Sequence, residues 1–343
     1  MIRTRGLVVA LHGHPFWGSP DRRQREVADV AALFIESFAK RDVDALSDLH
    51  GDYALALIDV ERARVVLAVD RMSVRNFVYA QTEQGFVFGP TCDVVLQHPA
   101  VRREVDPQAI YNYLYFHMVP GPSTAFRGLR RLPPGHFVDF DRARCSVRAH
   151  WRPRFVEDGD EDFTSLKRDF RRALDESVRT FSDEEKCGTF LSGGTDSSTL
   201  AGLLGSISGA PAPTFSIGFD AEGYDEIRYA RIAARHFATA HHEYYVTPAD
   251  VVDAVPRIAE TYDQPFGNAS AVPTYYCARL AQMNGIKRML GGDGGDELYG
   301  GNSRYARQQQ FALYERVPRF LRQGVAEPVA RYLALTGRLP LLR

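Results

Sequence analysis

Seven consecutive residues, Ser192-Gly193-Gly194-Thr195-Asp196-Ser197-Ser198, carry the most readable chemistry in this chain. Glycines let a backbone close on an anion, and the hydroxyls of Ser192, Ser197 and Ser198 add hydrogen-bond donors. If a helix starts here, its first N–H groups also point at the anion. Asp196 is the odd member. A carboxylate beside a phosphate repels it unless a cation lies between, which points to Mg²⁺. A second loop, Leu290-Gly291-Gly292-Asp293-Gly294-Gly295-Asp296-Glu297-Leu298-Tyr299-Gly300-Gly301, packs six glycines and three acids into twelve residues. That is too permissive and too charged for a core element. Its spacing fails the EF-hand pattern, so calcium is a poor reading. Two Asp-bearing loops at the ends of parallel strands could converge on one or two Mg²⁺ ions.

The elements that must position these loops are legible around them. The apolar run Cys187 to Leu191 reads as a buried strand, and Thr199 to Leu204 as a helix. Lys287 to Leu290 reads as the strand before the acidic loop. No Lys-Ser/Thr pair closes the first loop, so it is not a Walker A motif, and the dinucleotide spacing is absent. The plainer alternatives are a Ser/Gly turn that only caps a helix and an acidic turn that is only solvated. The strands before both loops weigh against them. From Phe163 the pattern alternates helix and strand, which predicts a parallel sheet with helices on both faces.

Residues 1–150 read as β-rich, with short strands at Leu7 to Leu11, Tyr53 to Ile58, Arg64 to Val69, Phe77 to Ala80 and Phe86 to Phe88. One helix is predicted over Glu26 to Lys40, with Val27, Val30, Leu33, Phe34 and Phe38 on helical spacing. Gly128 to His136 reads as a turn that opens the last hairpin. Residues 151–162 read as a linker between a first domain, 1–150, and a second, 163–343. His12 and His14 read as loop residues; without a third ligand nearby they do not make a metal pair.

Length and composition bound the function. The chain has 343 residues, 45% of them hydrophobic, enough for two cores. A net charge of −1 offers no bulk field for nucleic acid or anionic membrane. Cys92, Cys145, Cys187 and Cys277 are far apart, with no metal or redox spacing. No apolar run reaches membrane-spanning length and no signal-peptide pattern is present, so the cytoplasm is the expected compartment. The expectation is therefore no nucleic acid and no membrane among the partners.

Ser-Gly-Gly-x-Asp-Ser resembles the pyrophosphate loop of the ATP pyrophosphatases, and the ordered set of motifs is similar to the asparagine synthetase family. Leu191 to Ser198 resembles its nucleotide loop. Ser216-Ile217-Gly218-Phe219 with Tyr224-Asp225-Glu226 and Ala230 resembles its next strand and helix. His241-His242-Glu243, Asp263-Gln264-Pro265, Ser270-Ala271-Val272-Pro273 and Gly291 to Gly301 follow in the family's order. The wider superfamily also contains β-lactam synthetases and lasso-peptide cyclases. The resemblance implies an α/β ATP-pyrophosphatase domain behind an α+β, Ntn-hydrolase-like β-sandwich domain of the glutaminase type. It implies a ligase that uses ATP and Mg²⁺ to adenylate a carboxylate, aspartate or a related acid, and passes the acyl group to ammonia or an amine. Asp196 and Asp296 would hold the metal. Ser192, Gly193, Gly194, Thr195, Ser197 and Ser198 would cradle pyrophosphate. Leu191 and the Ser216-Ile217-Gly218 backbone would hold adenine, with Gly292 against the nucleotide. Asp293 and Glu297 are further candidates, as water ligands or helix caps.

Leu49 to Asp59, Val69-Asp70-Arg71 and Leu132 to His136 resemble the middle and end of the glutaminase domain. The family's nucleophile there is a Cys that becomes residue 1, with its own α-amino group as base. Here Ile2 follows Met1, and His12-Gly13-His14-Pro15-Phe16 stands where the family has its Asn-Gly-Glu turn. The expectation is no glutamine hydrolysis. The acidic loop ends Gly300-Gly301-Asn302 where the family usually has Gly-Gly-Tyr. In β-lactam synthetases that Tyr helps to activate the attacking amine, so Asn302 puts that mechanism in doubt. Family members also continue past the equivalent of Arg343 and supply a Lys expected to stabilise the adenylate. The chain thus reads as a fragment, a natural truncation or half of a two-chain enzyme, with a partner chain or further segment expected. Two rival functions stand beside the amide ligase: an intramolecular lactam or lasso-type cyclase, and a non-catalytic nucleotide-binding scaffold.

Overall fold

The computed structural model describes residues 1–4, 6–18, 26–142, 144–156, 162–182, 186–220, 225–302, 305, 308 and 314–335. Tyr224, residues 157–161 of the expected linker and the tail beyond 335 lie outside them. Strands β1 (Ile2–Arg3), β2 (Leu7–Trp17), β3 (Leu49–Asp59) and β4 (Arg64–Val69) pair antiparallel with β8 (His136–Asp141) and β9 (Arg144–Ala149), in the order β1-β2-β3-β4-β8-β9. A three-stranded sheet, β6-β5-β7, combines β5 (Val78–Thr82), β6 (Gly85–Gly89) and the short β7 (Arg130–Arg131). β7 gives a strand to the segment that reads in sequence as a turn.

The central strand β3 is apolar on successive residues because both of its faces are covered. Leu55 and Leu57 face helix α1 (Val27–Arg41), which buries Val30, Phe34 and Phe38 on one stripe. Ala54 and Ala56 face the second sheet through Phe77, Tyr79, Phe86 and Phe88. Two antiparallel layers with one helix on the outer face result.

β2 corrects the sequence reading. It continues six residues beyond Leu11, so His12 and His14 belong to a strand, in register with Ala54 and Asp52. The alternation His-Gly-His hides the strand, because Gly13 and Pro15 both read as breakers. Gly13 adopts φ +109°, and Gly51, which faces Pro15 across the ladder, adopts φ +88°. A Cβ on either would strike the facing carbonyl oxygen, of Asp52 or His14. Pro15 is tolerated because β1 pairs only with Val8 and Val9, leaving the far part of β2 without an outer neighbour among the described residues.

After helices α2 (Cys92–Val95) and α3 (Pro107–Phe116), the second half opens with α4 (Phe163–Ser182). Four strands follow, β10 (Cys187–Phe190), β11 (Pro213–Phe219), β12 (Ala240–Val246) and β13 (Arg288–Leu290), all parallel in the order β12-β11-β10-β13. Helices α5 (Thr195–Ser208) and α6 (Ile227–His236) pack with α4 on one face, through Ala201, Ala230 and Ala234 and through Val178 and Leu204. Helices α7 (Pro248–Thr261) and α8 (Ala271–Met283) cover the other through Phe215, Cys277, Ala281 and Ala254. The chain steps outward from β10 to β11 and β12, then crosses back to β13 on the far side of β10. The strand order therefore reverses at β10/β13, the point where open α/β sheets place their ligands.

Candidate nucleotide site

The chemistry-bearing loops leave the carboxyl ends of β10 and β13, on the two sides of that reversal. Buried hydroxyls hold the strand ends. Thr189 Oγ1 donates to the Leu290 carbonyl at 3.0 Å, tying β10 to the start of the acidic loop. Ser216 Oγ donates to the Leu191 carbonyl, tying β11 to the start of the Ser/Gly loop. Both side chains lie in an apolar sheet, where an unpaired hydroxyl would be costly, so the bonds fix which strand ends stand together.

The first loop is shorter than its sequence suggests. Helix α5 begins at Thr195, so Asp196, Ser197 and Ser198 form its first turn and only Ser192 to Gly194 are loop. Gly194 is the N-cap, and no side chain caps the helix. Ser197 Oγ accepts from the Ser192 N–H at 3.2 Å and lies 3.0 Å from Ser192 Oγ. The Gly194 N–H in turn donates to Ser192 Oγ at 3.3 Å. Gly193, at φ +85°, serves a packing role: a Cβ there would meet the α6 backbone at Tyr229 and Ala230.

The acidic loop folds over the first turn of α5. A Cβ on Gly292 would lie 2.8 Å from Asp196 Cβ, and one on Gly295 would meet the Asp196 carboxylate itself. Gly301 stands in the same relation to the Asp296 carboxylate. The glycines therefore do more than loosen the loop; they let its backbone press against the two aspartates. Helix α9 (Gly295–Tyr299) carries Asp296 and Glu297 in its first turn.

A cleft of about 790 Å³ opens between the loops. Leu191, Ser192, Gly194, Thr195, Asp196 and Ser197 line one side, Ser216 and Ile217 the floor, and Gly292, Asp293 and Asp296 the other side. Gly193 and Ser198 do not line it: the first is turned onto α6, and the Ser198 N–H closes the helix onto the Gly194 carbonyl at 3.1 Å. Gly218 is covered by the Tyr245 ring instead. Glu297 is exposed and accepts from Tyr305 Oη at 3.3 Å, while Asn302 accepts the Tyr305 N–H at 3.0 Å through its carbonyl; neither lines the cleft. Polar lining residues with no site role in the sequence reading include Glu226 at the foot of α6, Thr274 on α8 and Tyr299. Tyr299 packs edge-on against Phe170, with centroids 5.0 Å apart. The apolar wall includes Cys277, whose thiol is pushed up to about 12 by burial and stays protonated.

Among the described residues no group of three or more His, Cys, Asp or Glu could hold a metal alone. Two carboxylates beside a phosphate-shaped cradle are the donor set that Mg²⁺ takes when phosphate oxygens and water complete its shell. The residues present fit that ion: Asp196 and Asp296 line the cleft and are the carboxylates that would hold it.

Asp263-Gln264-Pro265 lies elsewhere. The Asp263 carboxylate accepts the Cys92 N–H at 2.6 Å, and Gln264 Oε1 accepts the Ala125 N–H at 2.7 Å. The Gly267 N–H donates to the His117 carbonyl at 2.6 Å. This segment clasps the antiparallel half to the parallel half, a few residues before α8 reaches the cleft wall. Beside Asp263, burial holds the Cys92 thiol up to about 12.

Fold and site define a two-part molecule: an antiparallel layered domain, then a parallel α/β domain with a phosphate-type cleft at its strand reversal. The chain belongs to the asparagine synthetase family: the asparagine synthase model matches residues 169–342, just over half of it. A glutamine amidotransferase domain model matches residues 23–151. A putative asparagine synthetase [glutamine-hydrolyzing] 2 of Methanocaldococcus jannaschii is 26% identical over 93% of this chain and 63% of its own length. A putative asparagine synthetase of Mycobacterium bovis is 29% identical over 83% of this chain and 44% of its own. Asparagine synthetase 1 of Bacillus subtilis is 28% identical over 64% and 35%. The chain thus spans roughly a third to two thirds of the length of these relatives. No described helix is long and apolar enough to cross a membrane.

Proposed function

We propose that the chain is an ATP-dependent amide ligase of the asparagine synthetase type. The observation that carries this reading is the pressing of the Gly292–Gly295 backbone onto Asp196 at the strand reversal, which brings two acidic loops to one phosphate-type cleft. ATP lies with its adenine against Leu191, Ser216 and Ile217 and its phosphates at Ser192, Gly194, Thr195 and Ser197. Asp196 and Asp296 would hold Mg²⁺, which when bound offsets the charge of the departing pyrophosphate. Free N–H groups at the uncapped start of α5 act on the same charge. A carboxylate oxygen of the substrate attacks the α-phosphorus, and the bond to the bridging oxygen breaks as pyrophosphate leaves. The amine nitrogen then attacks the acyl carbon, the bond to AMP breaks, and the nitrogen loses a proton. Asp293 and Glu297 remain candidate supporting acids, with Asp293 on the cleft wall.

Glutamine hydrolysis is absent from this reading. The four thiols are buried or half-buried, and none lines the cleft that holds His14, Asp52 and Asp70. The same observation favours a second reading, an intramolecular ligase, because an amine carried within the substrate needs no ammonia supply. ATP–pyrophosphate exchange with aspartate, then with peptide carboxylates, separates the two. Exchange with aspartate supports the first reading, exchange with peptide acids alone supports the second, and exchange with neither sinks both. Glutamate release that depends on this chain would overturn the glutaminase statement.

A further inference from the structure

Between the two halves of the molecule lies a second cleft, about 930 Å³, sharing no lining residue with the first. β2, β3 and the turn after β4 form one wall; α4 and residues 287–290 form the other. Its acids are already engaged. The buried Asp70 carboxylate accepts the N–H groups of Tyr53, Met72, Val74 and Arg75. Asp52 holds Arg75 at 3.0 Å and His14 at 3.2 Å.

Arg71 has no acid. Its Nη2 donates to His50 Nδ1 at 2.8 Å, and its guanidinium carbon lies 5.5 Å from the Trp151 ring centroid. Neither partner carries negative charge. On the facing wall Lys287 makes no ion pair among the described residues. A half-buried guanidinium whose neighbouring acids are engaged is the arrangement that takes an anion from outside. His50, accepting at Nδ1, carries its hydrogen on Nε2, and its ring stacks on Phe16 at 5.3 Å. Burial and the adjacent Arg71 lower its pKa, so it stays neutral at pH 7. Val74, Phe181 and Met289 add apolar surface, beside Ser177, Thr180 and Arg288, whose Nη1 donates to the Phe181 carbonyl at 3.0 Å.

We propose that this cleft binds a small organic carboxylate with an apolar body. Arg71 and Lys287 take the carboxylate, and the body lies against Phe16, Phe181 and Met289. Residues 287–290 run straight into the loop that carries Asp296, so an occupant contacts the strand that positions that loop. The inference does not depend on the ligase reading.

The test is calorimetric titration of the full chain with 4-phenylbutyrate and, in parallel, with 4-phenylbutyramide, which keeps the body and loses the charge. Saturable binding of the acid is expected, with the amide about tenfold weaker or more. The acid should bind equally well when MgATP is saturating, which separates this cleft from the nucleotide site. An Arg71→Gln/Lys287→Gln double variant should lose about the same factor. Equal affinity for acid and amide, displacement of the acid by MgATP, unchanged binding by a folded double variant, or no saturable binding of the acid would each overturn the proposal. If the double variant does not fold, the acid–amide comparison on the native chain decides alone.

Discussion

At the carboxyl ends of β10 and β13 the polar part of the wall is backbone, hydroxyl and carboxylate; in the cleft between the two halves guanidinium and ammonium stand beside carboxylates that are already engaged. The first cleft depends on closeness. Gly292, Gly295 and Gly301 stand where a Cβ would collide with Asp196 or Asp296, so these positions are constrained one by one. The second depends on an excess of positive charge over engaged acids, which many residue combinations could supply. Phosphate chemistry with a metal needs fixed short contacts, whereas capture of an organic acid needs a field and a surface.

The largest expected effect is at the acids proposed to hold the metal. Asp296→Ala should lower Mg²⁺-dependent ATP turnover by at least about a hundredfold, the scale of losing a charge-stabilising group at a phosphoryl centre. Full turnover by this variant, measured as AMP formed, would remove Asp296 from the site. Gly295→Ala is the next largest. Its Cβ lands on the Asp196 carboxylate, while its backbone is helical and accepts alanine. Affinity for MgATP should fall roughly tenfold while the melting temperature stays level or rises, since alanine favours a helix over glycine. Loss of stability together with loss of affinity would show that this glycine serves the fold instead.

Asp263→Ala probes the clasp rather than either cleft. It removes the acceptor of the Cys92 N–H at the start of α2 and should cost about 1–2 kcal/mol. Urea denaturation followed by fluorescence reads this directly; an unmoved midpoint would mean the clasp contributes nothing. The smallest effect concerns pH. Burial lowers the pKa values of His150 and His241, and burial with Arg71 lowers that of His50, from an ordinary 6.5. Below pH 6.5 the unfolded chain takes up protons before the folded one does. Stability is therefore full above that value and falls as pH drops toward the folded-state values. Asp139 and Glu243, whose pKa values are lowered chiefly by Arg64 and Arg231, weaken the fold only further down, below the ordinary carboxylate range. A melting temperature that rises between pH 7 and pH 5.5 would contradict the histidine assignment.

What was legible in the sequence follows the same division. The two loops announce themselves because their glycines and acids are contiguous, and the flanking strands are plain apolar runs. The boundary at Thr195 was not legible, since Thr-Asp-Ser-Ser reads as turn until the uncapped helix start is seen. His12 and His14 were hidden in a strand by Gly13 and Pro15, which punctuate a sequence more strongly than they interrupt this ladder. Gly193 reads as a phosphate contact in sequence; that its missing Cβ also makes room for α6 is visible only once α6 is placed. The clasp and the second cleft join segments from both halves of the chain through ordinary residue types, and no local pattern marks such contacts.

Asp196 and the Gly-rich acidic loop are proposed to form one ATP-cleaving site. ATP–pyrophosphate exchange with Mg²⁺ and a panel of carboxylic acids, run on the native chain beside Asp196→Ala, tests it most directly. Exchange by the native chain with at least one acid, and none above background by the variant, is expected. Exchange at the native rate by Asp196→Ala, or none by a native chain shown to bind neither ATP nor Mg²⁺, would contradict it.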